Sequence, residues 1–154
     1  MNGPIVSNAS PLIALEQIGQ LSLLPHLFGQ ILITPAVGRE VEPTLPKRPV
    51  WIEAHSLQQP IGVRVLAASL GTGESETISP AVEVSASRVL LDDRPARRLA
   101  AVLGLKVTGT LGILLAAKQR GLVEQIKPLL EALLTHDFRV SEALLEQILQ
   151  RAGE

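Results

Sequence analysis

The chain has 154 residues, a formal net charge of −1, three His and no Cys, which suits one domain with a real core and excludes disulfide scaffolds, thiolate-bound zinc, iron–sulfur clusters and cysteine nucleophiles. Leu, Ala, Val and Ile supply 67 of the 71 hydrophobic residues, while Phe and Trp together supply three and Tyr none, so the core is aliphatic and base stacking is disfavoured as a way of holding single-stranded nucleic acid. No apolar run approaches the roughly 18 residues of a membrane span, and the opening MNGPIVSN lacks a secretory signal's basic start and apolar stretch, so a cytoplasmic protein with no membrane partner is expected.

Ile5 and Val6 make a short strand that ends at Ser7-Asn8. Ser10-Pro11 then caps and opens a helix carrying Leu12, Ile13, Leu15 and Ile18, which Gly19 stops. The run LSLLPHLF forms a second helix before the strand Ile31 to Ile33, and Thr34-Pro35 repeats the start signal for a helix over AVGREVE. PTLPKRP is a loop, and Trp51 to Ala54 reads as extended. A helix is expected over 61–69, and another from Glu74 after the Gly71-Thr72-Gly73 break. Arg88 to Leu91 reads as a buried strand ending in Asp92-Asp93, followed by the helix RPARRLAAVLG. Leu105 to Val107 reads as the next strand, and Thr108-Gly109-Thr110 turns it into the helix LGILLAAKQRG. This strand, helix, strand, helix run of parallel type leads into a helical C-terminal part over about 124–154, with Ser141 capping the last helix. Residues 1–154 thus form a single α/β domain of three layers, in which helices flank a central parallel sheet of about four to five strands.

Ligands of such sheets bind outside the carboxyl ends of the strands. That rule selects Asn8, Asp92, Asp93, Thr108 and Thr110, with Glu40 and Glu74 at the helices nearby. Carboxylates gathered from separate segments repel one another unless a divalent cation neutralises them, and an all-oxygen set suits Mg²⁺ or Mn²⁺. From Arg88 to Lys127 there are eight basic residues against three acidic ones, a balance of +5, leaving −6 for the remainder. Arg94, Arg97 and Arg98 share a helix face there and either bind phosphate or pair with Glu side chains. Each residue also has an ordinary role. Asp93 is a ready N-cap, Thr108 and Thr110 are cap candidates, Asn8 completes a turn, Glu40 reads as a surface residue, and Glu74 faces the positive end of its helix.

Taken in order, VSNASPLIALEQIGQ, TPAVGREV, GTGESETI and VLLDDRPARRLAAVLGLKVTGTLGILLAAKQRGL resemble the PIN-domain superfamily, and within it the toxin-like prokaryotic branch that begins with an Asn-x-Ser-Pro-Leu-Ile motif. The likeness extends over essentially the whole chain, to the closing Arg-Ala-Gly-Glu. It implies a metal-dependent endoribonuclease and the toxin half of a toxin–antitoxin pair. On that resemblance Asn8, Glu40, Glu74, Asp92 and Asp93 are the catalytic positions, and Glu40, Glu74, Asp92 and Asp93 hold Mg²⁺ or Mn²⁺. Ser10, Arg94, Arg97, Arg98, Thr108 and Thr110 contact the RNA. A cognate antitoxin and a second copy of the chain are the implied protein partners. Most active relatives carry Asp where this chain has Asn8, which removes one negative charge from the site. A binding module for RNA or protein with weakened metal affinity is therefore the alternative, and a small-molecule phosphate pocket is a third reading.

Overall fold

The computed structural model describes residues 3–56, 78 and 80–154. Within them five strands form one parallel sheet: β1 (Ile5–Ser7), β2 (Ile31–Ile33), β3 (Ile52–Ala54), β4 (Arg88–Leu90) and β5 (Val107–Thr108), in the order β3-β2-β1-β4-β5. The helices are α1 (Ala9–Gln17), α2 (Leu23–Phe28), α3 (Pro35–Val41), α4 (Arg94–Val102), α5 (Thr110–Gln119), α6 (Lys127–Thr135) and α7 (Glu142–Arg151). The helix expected over 61–69 and the first residues of the one expected from Glu74 lie outside the described residues, while Ile78 and residues 80–83 are helical.

Alternate residues of the strands feed two separate apolar clusters, because successive side chains of a strand point to opposite faces. Ile5, Ile31, Ile33 and Leu90 join α1, α2, α3 and α5 on one face, with α6 and α7 outside them. Val6, Val89 and Leu91 join Ile78, Ala81 and Ala96 on the other. The strand order explains this division. The path from β1 to β3 moves one way along the sheet and the path from β4 to β5 moves the other, so right-handed crossovers place α1 and α4 on opposite faces. Each fully buried Leu or Ile contributes roughly 1.5–3 kcal/mol, and Leu12, Leu15, Leu24, Ile113 and Leu114 are all in that class.

Local cap chemistry fixes most helix starts. Asn8, Thr34, Asp93 and Ser141 each accept a backbone N–H at the start of α1, α3, α4 and α7. Strand β5 begins two residues later than expected. Leu105 donates its N–H to Ala100 O at 2.9 Å and Gly104, at φ 78°, donates to Ala101 O at 3.0 Å, so the end of α4 consumes Leu105 in a left-handed helix cap. Helix α6 likewise begins at Lys127, later than Glu124. Of the C-terminal apolar positions, Leu130, Leu133 and Ile148 are buried, Leu129 and Leu145 pack partly, and Leu134 and Leu144 are exposed.

The start of α6 has no cap from its own residues. Its cap comes from the end of α7, where Gly153, at φ 76°, turns the chain so that Glu154 N–H bonds Leu149 O. The Glu154 carboxylate then accepts the N–H groups of Ile126 at 2.8 Å and Lys127 at 2.9 Å, together with Lys118 Nζ at 2.8 Å. Burial pushes this carboxyl upward, but those hydrogen bonds and the Lys118 charge outweigh it, lowering the pKa from 4.5 to about 2. A depressed carboxylate contributes stability above its unfolded value and loses it as pH falls through the folded one. Glu154→Gln is therefore expected to cost about 1–2 kcal/mol near neutral pH, the scale of a lost helix cap. Thermal melts of the two proteins are expected to converge as pH falls from 4.5 toward about 2.

Candidate functional site

Strands β1 and β4 are neighbours whose following helices leave to opposite faces, so a crevice opens at their carboxyl ends. Asn8 stands at the end of β1, buried, with its backbone N–H donating to Leu90 O at 2.9 Å. Its side-chain oxygen accepts the N–H of Ala9 at 2.8 Å, so the carbonyl is engaged in capping α1.

Asp92 stands at the end of β4, and its two oxygens are both engaged with Thr110. One accepts the Thr110 N–H at 2.7 Å and the other accepts the Thr110 hydroxyl at 2.7 Å. Thr110 is wholly buried and is the first residue of α5. The residue preceding it, Gly109, has no side chain to offer as a cap, so Asp92 supplies the negative charge at this helix N-terminus from the end of the neighbouring strand. A Cβ on Gly109 would lie 2.7 Å from Asp92 Oδ1 and 3.4 Å from Arg97 Nη1. The glycine φ is −88°, so glycine is required by close approach, not by conformation. Asp93 turns away to cap its own helix, accepting Ala96 N–H at 3.0 Å. The adjacent Asp residues thus have separate jobs, Asp93 local and Asp92 between elements.

From Asp92 a groove of about 750 Å³ runs beside α5 toward α7. Arg88, Arg94, Arg97, Arg120, Arg139 and Arg151 line it, and among the described residues Asp92 is its single carboxylate. Among the described residues the ion pairs are His55–Glu83 and Lys118–Glu154, so none of these six arginines is paired with a carboxylate. Arg88 donates to Thr108 Oγ1 at 2.6 Å and Arg120 to Leu27 O at 3.3 Å.

Of the residues singled out from sequence, Asp92, Arg94, Arg97 and Thr108 meet in this groove, and Thr110 is clasped to Asp92. Arg98 does not line it, Glu40 is exposed on α3, Ser10 is exposed in the first turn of α1, and Glu74 lies outside the described residues. Arg88 and Arg120 entered only through the charge balance of residues 88–127, and Arg139 and Arg151 lie beyond that segment and were not anticipated, since no shared motif links them. Gly109 and Glu154 were missed as well. A Gly between two Thr at a strand end was the available signal for the first.

The oxygen donors of Asp92 and Asp93 suit a hard divalent ion in kind. In number they fall short. Among the described residues no three His, Cys, Asp or Glu side chains come together, and the strand end supplies two of the four expected carboxylates. Gly109→Ala is expected to drive Asp92 from its clasp and destabilise the domain by about 1–3 kcal/mol through overpacking. Denaturant unfolding measures that loss, and Gly104→Ala, where nothing lies within 4 Å of the added Cβ but φ is 78°, separates a steric cost from a conformational one.

No curated protein and no solved structure matches the chain. A family model described as PIN domain matches residues 4–154. The match spans the five-stranded parallel sheet, the Asp92 clasp and the arginine groove alike, and the chain belongs to the PIN-domain family.

Proposed function

We propose that this chain is a metal-dependent endoribonuclease that hydrolyses RNA phosphodiester bonds, working in the cytoplasm as the toxin half of a toxin–antitoxin pair. The observation that supports it is the placement of Asp92 at the carboxyl end of β4, where among the described residues it is the one carboxylate in a groove with six arginines that form no ion pair. Membership of the PIN family supports a nuclease-type module. In this reading the arginines take the RNA through phosphate, as guanidinium forks do, with Arg94 two positions from Asp92 in the chain. The clasp to Thr110 holds Asp92 in one orientation. Glu40, Glu74, Asp92 and Asp93 are the proposed ligands of Mg²⁺ or Mn²⁺, which when bound supplies an activated water and charge stabilisation at phosphate.

A second reading, an RNA-binding domain with weakened metal affinity, is favoured by Asn8, whose side-chain oxygen caps α1. One experiment separates the two. Single-stranded RNA is expected to be cleaved with Mg²⁺ or Mn²⁺, and Asp92→Ala with Asp93→Ala to slow cleavage by roughly 10–100-fold or more. Equal activity in both proteins sinks the nuclease reading. Asn8→Asp is expected to raise Mn²⁺ affinity and cleavage if the site is weakened, whereas no change favours the binding domain. A cognate antitoxin and a homodimer belong to the same proposal, with exposed Leu134 on α6 available for such contacts. Light scattering is expected to return twice the chain mass, and a monomer mass at high concentration refutes the dimer.

A further inference from the structure

The aromatic content of the chain is too low for a stacking platform spread over a surface, yet its placement is not random. Both phenylalanines of the sequence, Phe28 and Phe138, line the groove that holds the six arginines. They come from the end of α2 and from the stretch before α7, 110 positions apart, and both are half-buried against the main apolar cluster. Beside them the floor is aliphatic, including Leu144 and Ile148 one turn apart on α7.

We infer that this groove is a tract for single-stranded RNA leading away from Asp92, with phosphates on its arginines and bases seated on Phe138 and Phe28. The inference rests on the RNA reading proposed above and extends it to residues outside the strand ends. Charge favours a polyanion as the occupant. The six arginines come from β4, from the first turn of α4, from the end of α5, and from both sides of α7. Their charges therefore recur along the groove instead of gathering at one point, and among the described residues no ion pair offsets them. A phosphodiester chain carries one negative charge per nucleotide and matches that distribution, whereas an acidic helix presents its charge along one side. The partly exposed Phe rings supply what a duplex does not use and unstacked bases do, an apolar face in an arginine-lined groove. The scarcity of aromatics, which disfavoured stacking from composition, limits it to these two seats.

The test is fluorescence anisotropy with a short labelled single-stranded RNA, a hairpin duplex of the same composition and a labelled acidic amphipathic peptide. All are titrated in EDTA, so that binding is read without cleavage. The single strand is expected to bind most tightly, with a log–log salt slope of about −0.7 for each phosphate engaged. Arg139→Ala with Arg151→Ala is expected to reduce that slope by about 1.4 and the affinity by about tenfold. Phe138→Leu, which keeps an apolar group against the core, is expected to weaken binding about fivefold or more with the slope unchanged. Lys47→Ala, in the loop before β3 at the far edge of the sheet, is expected to change neither. Circular dichroism checks the fold of Phe138→Leu, and the arginine pair carries the test if that variant does not fold. Tighter binding of the duplex or the peptide, or single-strand binding that the arginine pair leaves unchanged, overturns the tract. Cleavage that depends on Asp92 alongside unchanged binding in the groove variants sinks the tract alone. Groove-dependent binding without any cleavage sinks the nuclease reading alone.

Discussion

The carboxylate of Asp92 ties the end of β4 to the start of α5, and much of the structure hangs on that clasp. Helix α5 carries Leu111, Ile113, Leu114, Leu115 and Ala117 into the main cluster, yet its N-cap is a glycine without a side chain to hold it. Asp92 supplies both a charge near the positive end of the helix and an acceptor for its first N–H. Gly109 is the condition for this, since any larger residue would occupy the space where the carboxylate sits. The same device recurs at α6, where Glu154 arrives from the far end of α7 to accept two backbone N–H groups. Two consecutive helices are thus started by acids borrowed from other elements, which couples helix formation to tertiary packing.

That coupling bears on the site. An Asp held through both oxygens by a buried Thr is rigid, and rigidity is what a positioned acid at a phosphate site needs. It also keeps this carboxylate, the sole one of the arginine groove among the described residues, from swinging into pairing with the guanidiniums around it. The net charge of −1 conceals this arrangement entirely. Among the described residues the other carboxylates lie outside the groove lining, and no ion pair offsets its arginines.

The local features of the fold were legible. Thr34, Asp93 and Ser141 announce helix starts because a cap is an interaction between residues three or fewer positions apart, whereas Ser10 reads as the cap of α1 and Asn8, two positions earlier, takes that role. Alternating burial on both faces follows from short apolar strands separated by helices, and the order of elements then restricts the sheet to few topologies. The start of β5 was misplaced because the left-handed cap after α4 competes for Leu105 and wins, a choice made by hydrogen bonds to Ala100 and Ala101.

The site was legible only in part. Two adjacent Asp residues stand at one strand end, and although Asp93 reads as a ready N-cap, nothing in their order says that Asp92 reaches Thr110, 18 positions away. The +5 balance of residues 88–127 pointed toward the basic region but mixed groove residues with others, and it omitted Arg139 and Arg151. By itself, then, the sequence determined an aliphatic α/β domain, its parallel strands, its local caps and the strand ends where acids collect, because these depend on neighbours in the chain. Only the tertiary structure decided which Asp clasps α5, that Glu154 starts α6, and that six arginines and both phenylalanines share one groove. Those are contacts between elements whose closeness is created by packing, and no periodicity along the chain encodes it.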